Sequence, residues 1–118
     1  MTELTTITDE LMLQMLPKTR SYCVVILRAT AKRKDPAAEM VVWEHARRNF
    51  ALRADGVLVV VCPVSDGSDL SGVGIFNATL EETRKIMDED PGVKAGIFTY
   101  EAHACRSFPG DCLPDKDA

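Results

Sequence analysis

The sequence predicts an α+β fold, a ferredoxin-like β-α-β-β-α-β domain with an additional N-terminal helix. Two observations predict this class. Four apolar runs of strand length alternate with segments of helical pattern, after a short first helix. The chain has 118 residues, of which 46% are hydrophobic and 27% charged, and this is typical of one domain that buries a core in water. The order of elements after the first helix is that of the split β-α-β motif, so we expect a four-stranded antiparallel sheet.

A short helix begins the chain, within a predicted N-terminal extension of residues 1–20. The helix covers residues 8–16. Thr8 or Asp9 caps its first N–H groups, and Pro17 ends it. Its surface is rich in Leu and Met, which indicates that it lies against another surface rather than in solvent.

The first strand and the main helix follow. Residues 22–27 form a continuous apolar and β-branched run, which is typical of a strand whose two faces are both covered. A loop over 28–34 carries four cations and leads to Asp35-Pro36, an N-cap with proline at the first helical position. The helix extends to about Ala54, and Asp55-Gly56 provides a left-handed exit.

The next two strands form a hairpin. A β-branched run over 57–62 is the second strand, and Pro63 ends it. Residues 65–69 are rich in Ser, Asp and Gly and form the turn. The third strand covers 71–77, and its two glycines indicate a close approach of another group to the backbone.

The last helix and strand complete the domain, which spans residues 21–108. Thr79-Leu80-Glu81-Glu82 is a capping box that opens the second main helix, and Pro91 ends this helix near Asp90. Residues 96–104 alternate as a fourth strand. The segment 109–118 is predicted to be a flexible acidic tail.

Topology rules predict which parts of this domain lie together. Right-handed crossovers place the first and third strands at the centre of the sheet and both main helices on one face. The other face then has no cover within the chain. We therefore expect a homodimer that forms through the sheet.

The main helix carries two apolar stripes on nearly opposite sides. The first stripe consists of Met40, Trp43, Ala46, Phe50 and Ala54. The second consists of Ala38, Val41, Val42 and Leu52, with His45 and Asn49 in its middle. One stripe must meet the sheet, and we expect the N-terminal helix to cover the other. If the second stripe faces the sheet, His45 lies in or beside the core.

Charge and composition exclude several function classes. Lys and Arg total 14 against 18 Asp and Glu, so the net charge is −4, which argues against general binding to nucleic acid or to an anionic membrane. No apolar run reaches the ~20 residues that span a bilayer, and the N-terminus does not resemble a signal peptide. We expect a cytoplasmic protein with free cysteines.

His103, Cys105 and Cys112 supply three soft ligands in principle, but zinc sites have tighter paired spacing, so no metal is predicted.

Several segments, taken in order, resemble the YCII-like family of small ferredoxin-like proteins. They are Glu44-His45 on the main helix, Val57 to Pro63, Gly74-Ile75-Phe76, the Glu-rich second helix, and Asp90-Pro91-Gly92-Val93-Lys94-Ala95-Gly96-Ile97-Phe98. The match covers roughly residues 21–108. It implies a dimeric α/β barrel whose pocket is centred on a histidine and an aspartate.

The resemblance also implies an activity. Family members include relatives of muconolactone isomerase and a dehydrochlorinase of a chlorinated hydroxyquinol, which suggests a lyase or isomerase acting on a small cyclic or aromatic acid. The histidine corresponds to His45 and the aspartate to Asp90. Proton transfer suffices for such a step, so no cofactor is expected. The alternatives stay open that His45 is a structural histidine, that Asp90 only forms a turn, and that the domain binds a small ligand without chemistry.

Four further residues are candidates for substrate binding. Arg28 follows a central strand and can hold a carboxylate or phenolate. Asn49 adds a polar group one turn after the histidine, and Cys62 places a thiol beside the pocket. Tyr100 presents a phenol either to the pocket or to the dimer interface.

Overall fold

The computed structural model describes residues 3–116. Residues 1, 2, 117 and 118, at the outer ends of the predicted extension and tail, lie outside the described residues. The elements in chain order are α1 (Asp9–Met15), β1 (Arg20–Ala29), α2 (Ala38–Ala54), β2 (Leu58–Pro63), β3 (Leu70–Phe76), α3 (Leu80–Asp88), α4 (Pro91–Lys94) and β4 (Phe98–Ser107). Short 3₁₀ turns at Leu16–Lys18 and Ala31–Lys34 precede β1 and α2.

The four strands form one open antiparallel sheet in the order β2-β3-β1-β4. The prediction that the first and third strands lie at its centre is confirmed. The molecule is thus an α+β protein, and its element order is consistent with the ferredoxin-like class in general.

The core lies between the helices and one face of the sheet. The buried strand residues of this core are Cys23, Val25, Leu27, Leu58, Phe76 and Phe98. Burial alternates along β1, so that Val24 and Ile26 point to the other face and are only half-buried. Val24 pairs with Ile75 and Ile26 with Val73, and these four side chains form an apolar patch in the middle of that face. We call this surface the open face.

Element ends differ from the sequence prediction by a few residues where local chemistry decides. The carboxylate of Asp35 accepts a hydrogen bond from the N–H of Ala37 at 2.9 Å, and this turn delays the start of α2 to Ala38. Pro91 does not only end a helix. It stands in the first turn of a separate short helix, α4, whose N-cap is Asp90.

Helix α2 packs its second stripe against the sheet. This is the arrangement in which His45 is expected to lie in or beside the core. Ala38 is buried, and Val42 and Leu52 pack against the core. The opposite side of the helix remains in solvent: Met40 is 80%, Trp43 66% and Phe50 69% exposed. We call these three residues the outer stripe.

The expectation that the N-terminal helix covers the outer stripe is wrong. None of the residues Asp9–Met15 is buried. Only Thr19 separates the 3₁₀ turn from β1, and Arg106 of β4 holds this residue through hydrogen bonds to its hydroxyl at 2.9 Å and to its carbonyl at 2.8 Å. The direction of the N-terminal segment is therefore fixed by the end of the sheet rather than by α2.

The described part of the C-terminal tail lies outside the helices and strands of the domain. Residues 109–116 contain neither helix nor strand and are exposed. Over residues 3–116, the helices are too short or too polar for any of them to cross a bilayer.

Candidate active site

A cavity of about 580 Å³ lies between α2 and the helix-covered face of the sheet. Apolar side chains of the core, among them Leu27, Leu58 and Phe98, form much of its wall. His45 and Asn49 of α2 also line it. A chamber of this size with an apolar wall and a few polar groups is typical of a site for a small organic molecule.

Two glycines of β3 create the floor of this cavity. Gly72 pairs with Leu27 and Gly74 with Val25, so both glycines lie on the helix-covered side of the sheet. Any larger side chain at these positions would occupy the space below α2. The two glycines that weaken the strand pattern in the sequence therefore leave room for a ligand.

His45 and Asp90 form a hydrogen-bonded pair at the wall of the cavity. Nδ1 of His45 lies 2.7 Å from Oδ1 of Asp90. The histidine side chain is 11% exposed and the aspartate 1%. Because a carboxylate can only accept a hydrogen bond, Nδ1 carries the proton, and this fixes the tautomer of the ring.

Asp90 is held ionised by the groups around it. Burial alone would raise its pKa, but hydrogen bonds from His45 and from the backbone N–H groups of Val93 and Gly92 outweigh burial and keep the pKa below its ordinary value. The two backbone bonds reach Oδ2, at 2.9 Å from Gly92 and 3.2 Å from Val93, and they are the N-cap bonds of α4. One oxygen of this carboxylate thus caps a helix while the other orients the imidazole.

The motif Asp90-Pro91-Gly92 has a second structural reason. A Cβ atom at Gly92 would lie 2.5 Å from the ring of Phe98, so only glycine allows this ring to approach. Phe98 in turn contacts the imidazole of His45, with ring centroids 4.8 Å apart. The motif therefore positions both the carboxylate and the aromatic neighbour of the histidine.

The other ring nitrogen of His45 is directed toward a polar group of the cavity wall. Nε2 lies 3.3 Å from Nδ2 of Asn49, one turn later on α2. With Nδ1 protonated, Nε2 accepts this hydrogen bond and is the atom that can take a proton from a guest molecule. Asn49 is among the residues that line the cavity, and a role of its amide in substrate binding stays a prediction.

Two arginines near the site were not singled out from the sequence. Arg48 donates a hydrogen bond to the carbonyl of Ile86 at 2.7 Å, and the same Nη1 lies 3.9 Å from Oδ1 of Asp90. Arg33 lines the cavity and is bonded to Glu39 at 2.9 Å. The position of Arg48, three residues after His45 on the same helix, was the available signal, since residues at that spacing share a helix face.

The other candidate binding residues are divided between cavity and surface. Cys62 is among the residues around the cavity, but it pairs with Val73 of the open face, so its exposed thiol lies on that face and a thiol beside the pocket stays a prediction that this geometry does not support. Arg28 is 45% exposed, its guanidinium lies 3.3 Å from the carboxylate of Asp69, and neither residue is among those that line the cavity.

Tyr100 also lies elsewhere on the helix-covered side of the sheet. Its hydroxyl donates to the carboxylate of Asp88 at 2.7 Å, near the end of α3. Burial and this hydrogen bond raise the pKa of Tyr100 to about 12. The phenol therefore stays protonated near neutral pH, and its hydrogen bond links β4 to the last residue of α3. A role of Arg28 or Tyr100 in substrate binding stays a prediction that this geometry does not support.

The residues of the alternative metal site, His103, Cys105 and Cys112, are not arranged as metal ligands. His103 points to the open face, where its ring lies 3.6 Å from the carboxylate of Glu101. Within residues 3–116, no group of three or more His, Cys, Asp or Glu side chains is arranged to hold a metal ion, and this includes the set His103, Cys105 and Cys112.

Comparisons with known proteins add no assignment. The chain matches no family model, and no curated protein matches it. The resemblance to the YCII-like family stays a prediction from the residues quoted above.

Proposed function

We propose that the protein is a small acid/base enzyme of YCII-like type, which catalyses a lyase or isomerase step on a small cyclic or aromatic acid without a cofactor. The observation that carries this proposal is the 2.7 Å contact between Nδ1 of His45 and Oδ1 of Asp90 beside a cavity of about 580 Å³. An imidazole held by a buried carboxylate at the edge of a chamber has the geometry of a general base.

The proton transfers follow from this geometry. A substrate that enters the cavity replaces the Asn49 amide as partner of Nε2 of His45, and Nε2 removes a proton from an activated carbon. The ionised Asp90 stabilises the imidazolium that forms, because an opposite charge at hydrogen-bond distance favours the charged ring. In an isomerisation the same nitrogen returns the proton to another carbon. In an elimination the electron pair of the broken C–H bond forms a C=C bond, the leaving group departs from the adjacent carbon with its own electron pair, and the imidazolium later gives its proton to solvent.

The cavity wall supports a preference for a flat, mainly apolar molecule with one anionic group. The glycine floor and the apolar core residues fit a ring face. Arg33, a cation on the cavity wall, can bind a carboxylate or phenolate by a charge-assisted hydrogen bond. We propose that Arg33 takes the role expected of Arg28.

We further propose that two copies associate through the open face and form the dimeric α/β barrel. The apolar patch of Val24, Ile26, Val73 and Ile75 is only half-buried in one chain, and a second sheet would cover it. Glu101 and His103 of the edge strand β4 would then lie at the rim, where charged residues of interfaces are usually found. A cytoplasmic location fits this proposal.

A second candidate function is a dimeric module that binds a small ligand without chemistry. The observation that favours it is the 3.3 Å contact between Asn49 Nδ2 and His45 Nε2, because the nitrogen that a base needs already has a partner. In this case the same cavity and the same class of ligand apply, and the histidine serves as a hydrogen-bond acceptor.

A screen of small cyclic and aromatic acids with two variants tests these proposals. Each acid is incubated with the wild type, and products are followed by mass spectrometry and by exchange of substrate protons for deuterium. His45→Ala and Asp90→Asn should each lower the rate by roughly 10²- to 10⁴-fold, because general acid/base catalysis contributes about that factor. His103→Ala is the matched control, since this histidine is 60% exposed on the open face, and it should keep the full rate.

The outcomes separate the two functions. Turnover that survives both His45→Ala and Asp90→Asn contradicts the catalytic proposal. Saturable binding of an acid to the wild type without turnover or deuterium exchange assigns the protein to the binding module.

A further inference from the structure

The outer stripe and the N-terminal segment are both apolar and exposed, and neither contributes a group to the proposed acid/base chemistry, although Phe50 of the stripe is also among the residues that line the cavity. The exposed fractions of the outer stripe are 66% or more. We call residues 3–19 the arm. The exposed large hydrophobic residues of the arm are Leu4, Ile7, Leu11, Met12, Leu13, Met15 and Leu16. Two apolar surfaces on one chain that do not meet within that chain indicate a contact between chains.

The arm needs a partner to be stable as a helix. Helix α1 has seven residues, and isolated helices shorter than about 12 residues are marginal in water. Thr8 caps it by accepting the N–H of Leu11 at 3.1 Å, but this bond alone does not offset the exposure of its leucines and methionines. Burial of those side chains supplies the missing stabilisation.

The arm cannot reach the outer stripe of its own chain without a change at its base. Arg106 holds Thr19 by two hydrogen bonds, and Arg20 donates to the carbonyl of Pro17 at 3.3 Å. The consequence is visible in the dimensions of the molecule. Its radius of gyration is 17.2 Å, and its longest extent is 55 Å. A compact chain of this length has a radius of gyration of about 13.5 Å.

The two surfaces match in length. Met40 and Phe50 mark the ends of the outer stripe and are ten residues apart on α2, which is about 15 Å along the helix axis. Helix α1 and the following 3₁₀ turn have seven and three residues, and together they extend over about 16 Å.

The two surfaces also match in charge when the helices run antiparallel. The arm has Asp9 and Glu10 in its first turn and Lys18 at its end. Helix α2 carries exposed acids in its first half, Glu39 and Glu44, and exposed bases in its second half, Arg47 and Arg53. Antiparallel packing brings the acidic end of the arm to the basic half of α2 and the basic end to the acidic half. The helix dipoles favour the same orientation.

We infer that the arm of one copy packs antiparallel on the outer stripe of a second copy of this chain. Each copy offers one arm and one stripe, so a reciprocal exchange closes as a two-fold pair. The contact leaves the open face free and does not depend on the proposed activity.

Trp43 allows a direct test, because it is the single tryptophan of the chain and stands in the outer stripe. Association of the wild type should shift its fluorescence to shorter wavelength as the protein concentration rises. The arm variant Leu11→Glu with Met15→Glu should show this shift only at a concentration roughly tenfold higher or more, because two apolar contacts are lost. Leu113→Glu, at an exposed leucine of the tail, is the matched control and should behave as the wild type.

A mixing experiment identifies the two surfaces. The variant Trp43→Glu has a damaged stripe, an intact arm and no tryptophan, so in a mixture all tryptophan fluorescence comes from the other chain. Added in excess to the arm variant, it should restore the blue shift, since its arm can occupy the intact stripe. A chain that carries both the arm and the Trp43→Glu changes should not restore it. Circular dichroism establishes that each variant is folded.

Three results would overturn the inference. A tryptophan emission that does not depend on concentration in the wild type excludes the contact. An arm variant that associates as the wild type does assigns the stripe to a different occupant, such as a second stripe. A mixture in which Trp43→Glu leaves the emission of the arm variant unchanged excludes arm exchange.

Discussion

At the scale of single residues, Asp90 links the fold to the site. Its Oδ2 accepts the N-cap bonds of α4 and its Oδ1 contacts Nδ1 of His45. A carboxylate that caps a helix is held in position by the backbone, so the imidazole bonded to it is held as well. The orientation of the proposed base therefore depends on a local turn motif, Asp90-Pro91-Gly92, 45 residues away in the sequence.

We predict that Asp90→Asn lowers the free energy of unfolding by about 1 to 3 kcal/mol at neutral pH, because buried donors lose a charged acceptor. The folded-state pKa of Asp90 is below its ordinary value of 3.8, so the charged form stabilises the fold above that pH, and this contribution is lost as the pH falls through the lower folded-state pKa. The difference between wild type and variant should thus shrink in acid, as measured by urea denaturation at several pH values.

The exposed tail residue Asp115 provides the control for this titration, since Asp115→Asn should change the free energy of unfolding little at any pH. A loss for Asp90→Asn of the same size in acid and at neutral pH would show that its charge does not contribute.

The floor of the cavity gives a second prediction at this scale. A Cβ at Gly72 meets only the carbonyl oxygen of Cys62, at 3.4 Å, so alanine fits with little adjustment. Gly72→Val adds an isopropyl group, three carbon atoms, to the cavity and should reduce the binding of benzoate roughly tenfold or more, because the added volume overlaps the ligand, while Gly72→Ala has an intermediate effect. Ligand-observed NMR measures the binding and thermal unfolding tests the fold. Equal binding by all three proteins would place the ligand elsewhere.

At the scale of elements, helix α3 shows how local sequence fixes a boundary. The hydroxyl of Thr79 accepts the N–H of Glu82 at 3.1 Å, and the Glu82 carboxylate accepts the N–H of Thr79 at 2.9 Å. This is the capping box predicted from the sequence. Such a motif is recognisable because all of its atoms belong to four consecutive residues.

We predict that Thr79→Ala lowers the free energy of unfolding by about 1 kcal/mol, because the helix loses its N-cap acceptor. Urea denaturation measures the change. Thr79→Ser keeps the hydroxyl and should lie close to the wild type. If alanine and serine destabilise equally, the methyl group of Thr79 and not its hydroxyl matters.

At the scale of the whole molecule, the open face is the surface through which we propose that two copies associate. Ile26 lies in its middle and pairs with Glu101 on β4. We predict that Ile26→Glu, introduced into the chain that already carries Leu11→Glu and Met15→Glu so that arm exchange is weakened, converts the proposed sheet dimer to monomers, because it places a charge in an apolar interface beside another acid. Sedimentation analysis measures the change. The control Thr99→Ala in the same background, at an exposed position of β4, should leave the assembly unchanged, and a dimer that persists with Ile26→Glu in that background excludes this face.

The sequence by itself determined the order of the elements, the central position of two strands and the capping motifs. These features depend on residues that are close along the chain or on general rules of strand connection. It also indicated the histidine, the aspartate and the amide that lie together at the cavity.

Only the tertiary structure decided which groups meet across the chain. It brought Arg33 to the cavity wall and Arg48 to Asp90, left Arg28 and Tyr100 outside, and directed the arm away from α2. No local sequence pattern predicts these contacts, because they depend on the lengths and packing of several elements at once. The distance between His45 and Asp90 is of this kind: a helix, a hairpin and a cap must all be in place before two side chains can share a proton.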